Sequence, residues 1–312
     1  MRIPGFATVA AAAVVACSSP QPARPDLAAI APPASGATKA EQFPGLHNVV
    51  AYGEHVYSGG VPEGREGLAT LAAMGIRTIL SVDGATPDVA GAEALGMRYV
   101  HLPISYDTVT PQRRQELAQA IVSCKGPLYV HCHHGKHRSA AALASAMVVA
   151  GRLTPDAAKE RMAVSGTAKE YVGLWQSVAE CQPLPEAELR IDPANLPKAS
   201  KVSGMVATMA EIDLVFDLVK QSQQAGWQPP GDHPDLVPAK ETQRLASLFA
   251  SLRDEAESKL LPGDYQQKLR RSIDASAALD HSLRGNDHEG ASKHLAALTK
   301  GCKECHVVHR DR

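Results

Sequence analysis

The residues best suited to chemistry lie in the segment 127–139, where Cys132 and Arg138 stand six positions apart. They are flanked by an apolar run that ends at His131 and an Ala-rich run that begins at Ser139. A strand–loop–helix of this kind curls backbone N–H groups around the cysteine and points a helix N-terminus at it. These groups and the arginine favour a thiolate and match the oxygens of a phosphoryl group. The segment therefore predicts an anion-binding loop with a nucleophile at its mouth.

Most positions of this loop have an expected part in the reaction. Cys132 is the expected nucleophile, Arg138 binds the anion, and Ser139 hydrogen-bonds the sulfur and helps it leave. Gly135 permits a tight turn that brings the backbone close to the anion. The residues expected to bind the substrate phosphate are His133, His134, Gly135, Lys136, His137 and Arg138. A thiolate that attacks phosphorus divides hydrolysis into two displacements through a phosphocysteine.

The motif His131-Cys132-x-x-Gly135-x-x-Arg138-Ser139 resembles the signature of cysteine-dependent protein tyrosine and dual-specificity phosphatases. Residues 135–138 are most similar to the atypical dual-specificity group of plants and fungi, and the resemblance extends over roughly 47–181. It implies an α/β fold and a phosphorylated protein or small molecule as substrate. A rhodanese-like sulfurtransferase is the chemical alternative, and a degenerate loop that binds phosphate without turnover is the non-enzymatic one.

In that family an aspartate upstream of the nucleophile protonates the leaving oxygen. Asp107, 25 positions before Cys132, has the matching place and is the expected acid. Asp83, directly after an earlier strand, is the alternative, and either residue would also suit a turn or a helix cap. Four histidines lie in or beside the loop: His131, His133, His134 and His137. They do not predict a metal site, because the curvature of the loop is expected to point their side chains apart.

A second motif, Cys302-Lys-Glu-Cys305-His306, lies near the C-terminus. At this spacing two thiols bond to the vinyl groups of a haem while the histidine ligates its iron. A zinc site would need further ligands at fitting spacing, and a redox disulfide usually lies at a strand–helix junction. The motif therefore predicts one covalent haem c, held by Cys302 and Cys305, with His306 on the iron.

The last third of the chain has the 3–4 spacing of apolar residues that indicates helices. The expected helices are 202–224, 242–260, 264–283 and 287–308. This part resembles class II cytochromes c, the cytochrome c′ and c-556 group, which are four-helix bundles with the haem motif near the C-terminus. The resemblance implies Met205 as the sixth iron ligand, although Met205, like Met209 on the same face, also suits an apolar core. It further implies electron transfer or redox or gas sensing, a redox partner protein, and a homodimer through this domain.

The alternation of short β-branched runs and helical segments between 48 and 181 predicts a mainly parallel sheet. The expected fold is an α/β domain, with a central sheet flanked by helices, followed by an all-α four-helix bundle. The predicted divisions are a signal peptide at 1–17, a disordered tether at 18–42, a phosphatase-like domain at 43–183, a Pro-rich linker at 184–200 and a haem domain at 201–312.

The first residues predict export. Residues 6–16 form a short apolar run of signal-peptide length, and the run 14–17 resembles a bacterial lipobox with Cys17 as the lipidated residue. The alternative is a plain signal peptide in which Cys17 is incidental. The expected location is the periplasm or cell envelope, with contact to the membrane only through the lipid anchor.

The charge balance gives no basis for a nucleic-acid partner, because the formal net charge is −1. Cys124 and Cys181 would suit either a disulfide in an oxidising compartment or two separate buried thiols.

The sequence as a whole predicts an exported phosphomonoester hydrolase coupled to a haem. The alternative is a non-enzymatic electron-transfer cytochrome with a phosphate-binding docking domain.

Overall fold

The computed structural model describes residues 27–230 and 236–310. The predicted signal peptide and the lipidation site at Cys17 lie outside these residues. No helix among the described residues has both the length and the apolar character that crossing a membrane requires.

The first part of the chain is built on a six-stranded mixed sheet. Its strands are β1 Glu41–Phe43, β2 Leu46–Gly53, β3 Val56–Gly59, β4 Thr78–Ser81, β5 Arg98–His101 and β6 Leu128–His131. They lie in the order β1-β2-β3-β6-β4-β5. Strands β3, β6, β4 and β5 run parallel, as predicted, while β1 and β2 pair antiparallel at one edge. All residues of β3, β4 and β6 are buried, which is typical of strands covered on both faces.

Helices cover both faces of this sheet. They are α1 Gly64–Ala73, α2 Val89–Ala94, α3 Pro111–Ser123, α4 Arg138–Val149, α5 Pro155–Val164, α6 Val172–Ala179 and α7 Glu186–Leu189. Because alternate residues of a strand point to opposite faces, Val130 and its neighbour Tyr129 belong to separate apolar cores. Every residue of α4 is buried, and its many alanines let the helix lie close against the sheet. This helix fixes the position of the predicted loop.

Two segments predicted to be free of the domain pack against it. The Ile30 N–H donates to the Ala73 carbonyl at 3.2 Å, and Arg161 Nη1 donates to the Ala37 carbonyl at 2.8 Å. In the predicted linker, Leu189 and Leu196 join the core with 1% and 5% of their surface exposed. Residues 27–42 of the predicted tether 18–42 and the predicted Pro-rich linker 184–200 therefore both contact this domain, because apolar side chains among the prolines reach its core.

The C-terminal part is helical, as predicted. Its helices are α8 Gly204–Gln224, α9 Pro238–Leu252, α10 Ala256–Leu260, α11 Gly263–Arg284 and α12 His288–His309. The single helix predicted over 242–260 is divided at 253–255, where the chain is polar. Helix α8 packs on α9, α9 on α11 and α11 on α12. In the described residues no comparable contact joins α12 to α8, so a closed four-helix bundle stays a prediction.

Cys124 and Cys181 are free thiols, so the disulfide considered for them is not formed. Burial raises the pKa of both thiols above the ordinary value. The Cys181 sulfur lies 3.2 Å from the Ser177 carbonyl within its own helical turn. The structure thus agrees with the alternative of two separate thiols.

Candidate active site

Cys132 follows directly on β6, and the chain turns through residues 133–137 before α4 begins at Arg138. Gly135 has a φ of +73°, in the left-handed region. A Cβ there would lie 2.3 Å from backbone atoms of Gly59 and Gly60. Both the conformation and the close approach therefore require glycine at this position.

The carbonyl groups of the loop point outward. Three of them accept hydrogen bonds from neighbouring elements: His133 from the Val61 N–H at 3.0 Å, Gly135 from Asn48 Nδ2 at 3.0 Å and Lys136 from Thr167 Oγ1 at 2.6 Å. A planar trans peptide holds its N–H opposite to its carbonyl. The N–H groups that follow these carbonyls therefore point into the loop, as an anion cradle requires.

Ser139 lies beside the predicted nucleophile. The Cys132 sulfur, with 3% of the residue exposed, is 3.4 Å from Ser139 Oγ. The same hydroxyl lies 3.4 Å from the Gly59 carbonyl. A hydroxyl has one proton, so Ser139 can donate it to Gly59 while the thiol is protonated and to the sulfur once a thiolate forms.

Arg138 and Asp83 form a buried ion pair. Arg138 Nη2 donates to Asp83 Oδ2 at 2.9 Å, and the residues are 7% and 5% exposed. Burial alone would raise the pKa of Asp83, but Arg138 and the Ala85 N–H outweigh it and hold the pKa below the usual range. Arg138 Nε is buried and has no hydrogen-bond partner among the described residues. It is therefore a donor available to an anion oxygen.

Asp107, the predicted acid, lies apart from these groups. It is exposed and lines a surface depression with Gly173, Gln176 and Glu180. Among the described contacts, none joins Asp107 to Cys132 or Arg138. In the structure Asp83 thus contacts the loop through Arg138, whereas Asp107 lies in a surface depression. The role of Asp107 as the general acid stays a prediction.

Aromatic side chains flank the loop, and sequence reasoning missed two of them. The Tyr106 ring centre is 4.2 Å from the Arg138 guanidinium carbon and 3.5 Å from that of Arg310. Tyr171 stacks at a tilt on Tyr106 and on His137, with ring centres 5.3 and 4.4 Å apart. Burial raises the pKa of Tyr106 to about 12, so its hydroxyl is neutral near pH 7. The only sequence signal for Tyr106 was its place beside Asp107.

Two of the loop histidines converge, contrary to expectation. His133 Nε2 and His134 Nε2 each lie 2.9 Å from the same oxygen, Oδ2 of Asp217 on α8. The prediction that loop curvature would point these two rings apart is wrong, because their centres are only 4.3 Å apart. Lys220 Nζ contacts the other carboxylate oxygen of Asp217 at 2.5 Å. Burial opposes ionisation of Asp217, but these three partners hold its pKa well below the usual range.

Three of the four residues predicted to hold a haem pack against one apolar core. Cys302 and Cys305 on α12 are half-buried and, like Met205 on α8, pack against the core of the C-terminal helices. The Met205 sulfur lies 3.6 Å from Ser258 Oγ and 4.0 Å from Tyr265 Oη. His306, the residue that follows Cys305, is exposed. Two thiols, an imidazole and a thioether are donors that suit haem c, and the haem site stays a prediction.

Comparison with known proteins identifies the first part of the chain. Residues 54–180 match the family described as "PTP-SAK: Swiss Army Knife protein, DSP-PTPase phosphatase domain". This segment carries the loop, the buried arginine and the nucleophile described above. It is similar to the cysteine-dependent phosphatase domains of this family. The family match ends before α7, so it leaves the C-terminal helices unassigned.

The chain is also similar to a curated protein and to several solved structures. IQ domain-containing protein E of Mus musculus is 26% identical over 149 residues, which is 45% of this chain and 19% of that protein. The chain thus spans about a fifth of the length of this curated relative. Similar solved structures include P. aeruginosa TpbA in complex with pTyr (20% identity, TM-score 0.41, 52% of this chain and 99% of that chain). Human DUSP28 is 18% identical, with a TM-score of 0.29 over 48% of this chain and 93% of that chain.

Proposed function

We propose that the protein hydrolyses phosphomonoesters of the protein-tyrosine or dual-specificity type through a phosphocysteine at Cys132. The observation that carries the proposal is the buried Arg138, whose Nε has no partner within residues 27–230 and 236–310, while the loop beside it directs N–H groups inward. A buried donor without a partner is costly unless a ligand satisfies it. A phosphoryl oxygen bound to both the arginine and the loop would do so.

The reaction has two displacements. The Cys132 thiolate attacks phosphorus, the S–P bond forms, and the P–O bond to the leaving group breaks while an aspartic acid donates a proton to the leaving oxygen. Water then attacks phosphorus and the S–P bond breaks, releasing phosphate. The Ser139 hydroxyl, 3.4 Å from the sulfur, stabilises the departing thiolate.

An aromatic leaving group fits the surroundings of the loop best. Tyr106, Tyr171 and His137 form a continuous set of stacked rings beside Arg138. An aryl ring held over the loop would gain stacking contacts there that an alkyl phosphate lacks. We therefore propose a phosphorylated tyrosine side chain, on a protein or peptide, as the substrate class.

Turnover of p-nitrophenyl phosphate tests this function. Cys132→Ser is expected to abolish turnover, and Ser139→Ala to slow breakdown of the phosphocysteine so that a burst of p-nitrophenol precedes a slow steady state. Cys124→Ser is the matched control, because Cys124 precedes β6 and so lies at the opposite end of that strand from Cys132, and it is expected to retain full activity. Equal turnover in Cys132→Ser and the unaltered protein would overturn the proposal.

We also propose that the C-terminal helices bind one haem c, with Cys302 and Cys305 as attachment points and His306 and Met205 as iron ligands. When bound, the haem supplies one-electron redox chemistry. The support is that Met205, Cys302 and Cys305 pack against one apolar core, with His306 next to Cys305 in the chain. A Soret band that survives denaturation, and disappears in Cys302→Ala/Cys305→Ala, is the expected result. Loss of that band from the unaltered protein on denaturation would contradict covalent attachment.

Coupling between the two parts is proposed from contacts that join them. Arg310, four residues after His306, lies on the Tyr106 ring, and Asp217 of α8 meets the loop histidines. A change in the helices around the haem would therefore reach the phosphatase loop. Phosphatase activity of the haem-loaded protein is expected to differ between the ferric and ferrous states, and equal activity would contradict coupling.

Export and lipidation at Cys17 belong to the same proposal, and loss of palmitate labelling in Cys17→Ala tests them.

A further inference from the structure

Two histidines and one aspartate offer donor atoms to a common point. His133 and His134 are on the phosphatase loop, whereas Asp217 is on α8, more than 80 residues later in the chain. The two Nε2 atoms each lie 2.9 Å from Asp217 Oδ2, and the three donor atoms all lie within 4.8 Å of one another. The proposed phosphatase chemistry uses the backbone N–H groups of this loop and does not require the side chains of these three residues.

The donor set is one that a transition metal prefers. Two imidazole nitrogens and a carboxylate oxygen suit zinc, which binds nitrogen and oxygen at about 2.0–2.2 Å in a tetrahedron. Ligand atoms at such distances lie about 3.3 Å apart. The observed 2.9 Å contacts would have to open by only a few tenths of an ångström to admit an ion. Such a shift is within the reach of small side-chain rotations.

The surroundings hold the three ligands in place. Lys220 binds Asp217 Oδ1 at 2.5 Å and so leaves Oδ2 for the histidines. The His133 carbonyl accepts from the Val61 N–H at 3.0 Å, which fixes the backbone of this residue. Burial disfavours positive charge at His133, but Asp217, Asp213 and Asp83 outweigh it and raise its pKa. The same negative field would attract a cation.

We propose that His133, His134 and Asp217 bind a divalent transition-metal ion of the zinc class. The fourth position is left for water or another small ligand. Because its ligands come from both parts of the chain, the bound ion would tie the phosphate-binding loop to α8. The site rests on the geometry of these three residues and does not depend on phosphatase activity.

Equilibrium dialysis of the full-length protein against Zn²⁺ tests the site. At limiting zinc, the Asp217→Asn protein is expected to bind one Zn²⁺ fewer per chain than the unaltered protein. Its affinity for zinc at this site is expected to fall by at least about 10–100-fold, the loss that follows when a residue hydrogen-bonded to a metal ligand is replaced. Glu211→Gln is the matched control: it lies on the same helix, pairs with Arg244 at 2.9 Å, and removes the same charge. It is expected to bind as much zinc as the unaltered protein. Zinc held by Cys302, Cys305 or Cys132 is common to all variants and cancels in the difference.

A second variant covers the case in which Asp217→Asn perturbs folding. The His134 side chain is 46% exposed, so His134→Gln removes a ligand with little cost to packing. The same loss of one Zn²⁺ in His134→Gln supports the site. Equal zinc binding by the unaltered protein, Glu211→Gln, Asp217→Asn and His134→Gln would overturn it and show that the cluster is an ion pair only.

Discussion

Arg138 Nη2 donates a hydrogen bond to Asp83 Oδ2 at 2.9 Å, in a place where little of either side chain is exposed. The two residues come from different strand ends, since Asp83 follows β4 and Arg138 begins α4 behind β6. Strands β4 and β6 are parallel neighbours, so their carboxyl ends meet at one edge of the sheet. The pair therefore aims the guanidinium at the loop and neutralises it when no anion is bound.

Asp83→Asn is expected to destabilise the phosphatase domain strongly. Removal of one partner from a buried ion pair leaves an uncompensated charge and costs about 3–5 kcal/mol. The measurement is urea unfolding followed by fluorescence of Trp175, in a Trp227→Phe background that removes the other tryptophan. Asp107→Asn is the matched control and is expected to change the free energy of unfolding by less than about 0.5 kcal/mol, because Asp107 is exposed. Similar effects of both substitutions would contradict the assigned pair.

The same two variants separate the candidate general acids. If Asp107 protonates the leaving oxygen, Asp107→Asn lowers kcat by about 10²–10⁴-fold for phenyl phosphate. The loss is expected to be much smaller for p-nitrophenyl phosphate, because its leaving group needs no proton. Asp83→Asn is expected to lower activity on both substrates alike, since it disturbs the arginine that binds the phosphoryl group. If only Asp83→Asn lost more activity on phenyl phosphate than on p-nitrophenyl phosphate, Asp83 and not Asp107 would be the general acid.

Local patterns predicted the phosphatase loop and its sheet because each depends on neighbouring residues. Strand β6 ends at His131, where the apolar run of the sequence ends, and Pro111 begins α3 behind Thr110, whose side chain caps the helix. The partner of Arg138 was not predicted, because Asp83 and Arg138 are 55 positions apart and meet only through the strand order. The same holds for Asp217, whose contact with His133 spans 84 positions. Such contacts leave no periodic signal in a single sequence.

Tyr106 is expected to contribute to binding of aryl substrates. Its ring lies 4.2 Å from the Arg138 guanidinium carbon, so Tyr106→Ala removes a cation–π contact as well as a stacking surface. A stacking contact between Tyr106 and the substrate ring worth about 0.5–1.5 kcal/mol corresponds to a roughly 2- to 13-fold rise in KM for p-nitrophenyl phosphate, with little change in kcat. Tyr106→Phe keeps the ring and is expected to stay within about twofold of the unaltered protein. An unchanged KM in Tyr106→Ala would remove Tyr106 from the substrate site.

His131, the last residue of β6, is expected to make the phosphatase domain acid-sensitive. Burial lowers its pKa from 6.5 to about 4, and Tyr99 Oη lies 2.7 Å from its Nε2. Between pH 4 and 6.5 the unfolded chain binds a proton at this residue that the folded chain does not bind. The free energy of unfolding therefore rises with pH across this window. The stabilisation is present above pH 6.5 and is lost as the pH falls towards 4, by up to about 3 kcal/mol.

The pH dependence of His131→Gln provides the measurement. Glutamine does not titrate, so the variant is expected to lose less stability than the unaltered protein between pH 7 and pH 4.5. Urea unfolding followed by Trp175 fluorescence, again in the Trp227→Phe background, gives the free energy of unfolding of each protein at each pH. The slope of this free energy against pH is then compared between the proteins. His55→Gln is the control: His55 is exposed and lies in the same domain, so its replacement is expected to leave the slope unchanged. Because His137 also has a pKa lowered by burial to about 4, part of the slope persists in His131→Gln. Identical slopes in all three proteins would show that His131 is protonated to the same extent in the folded and unfolded chains.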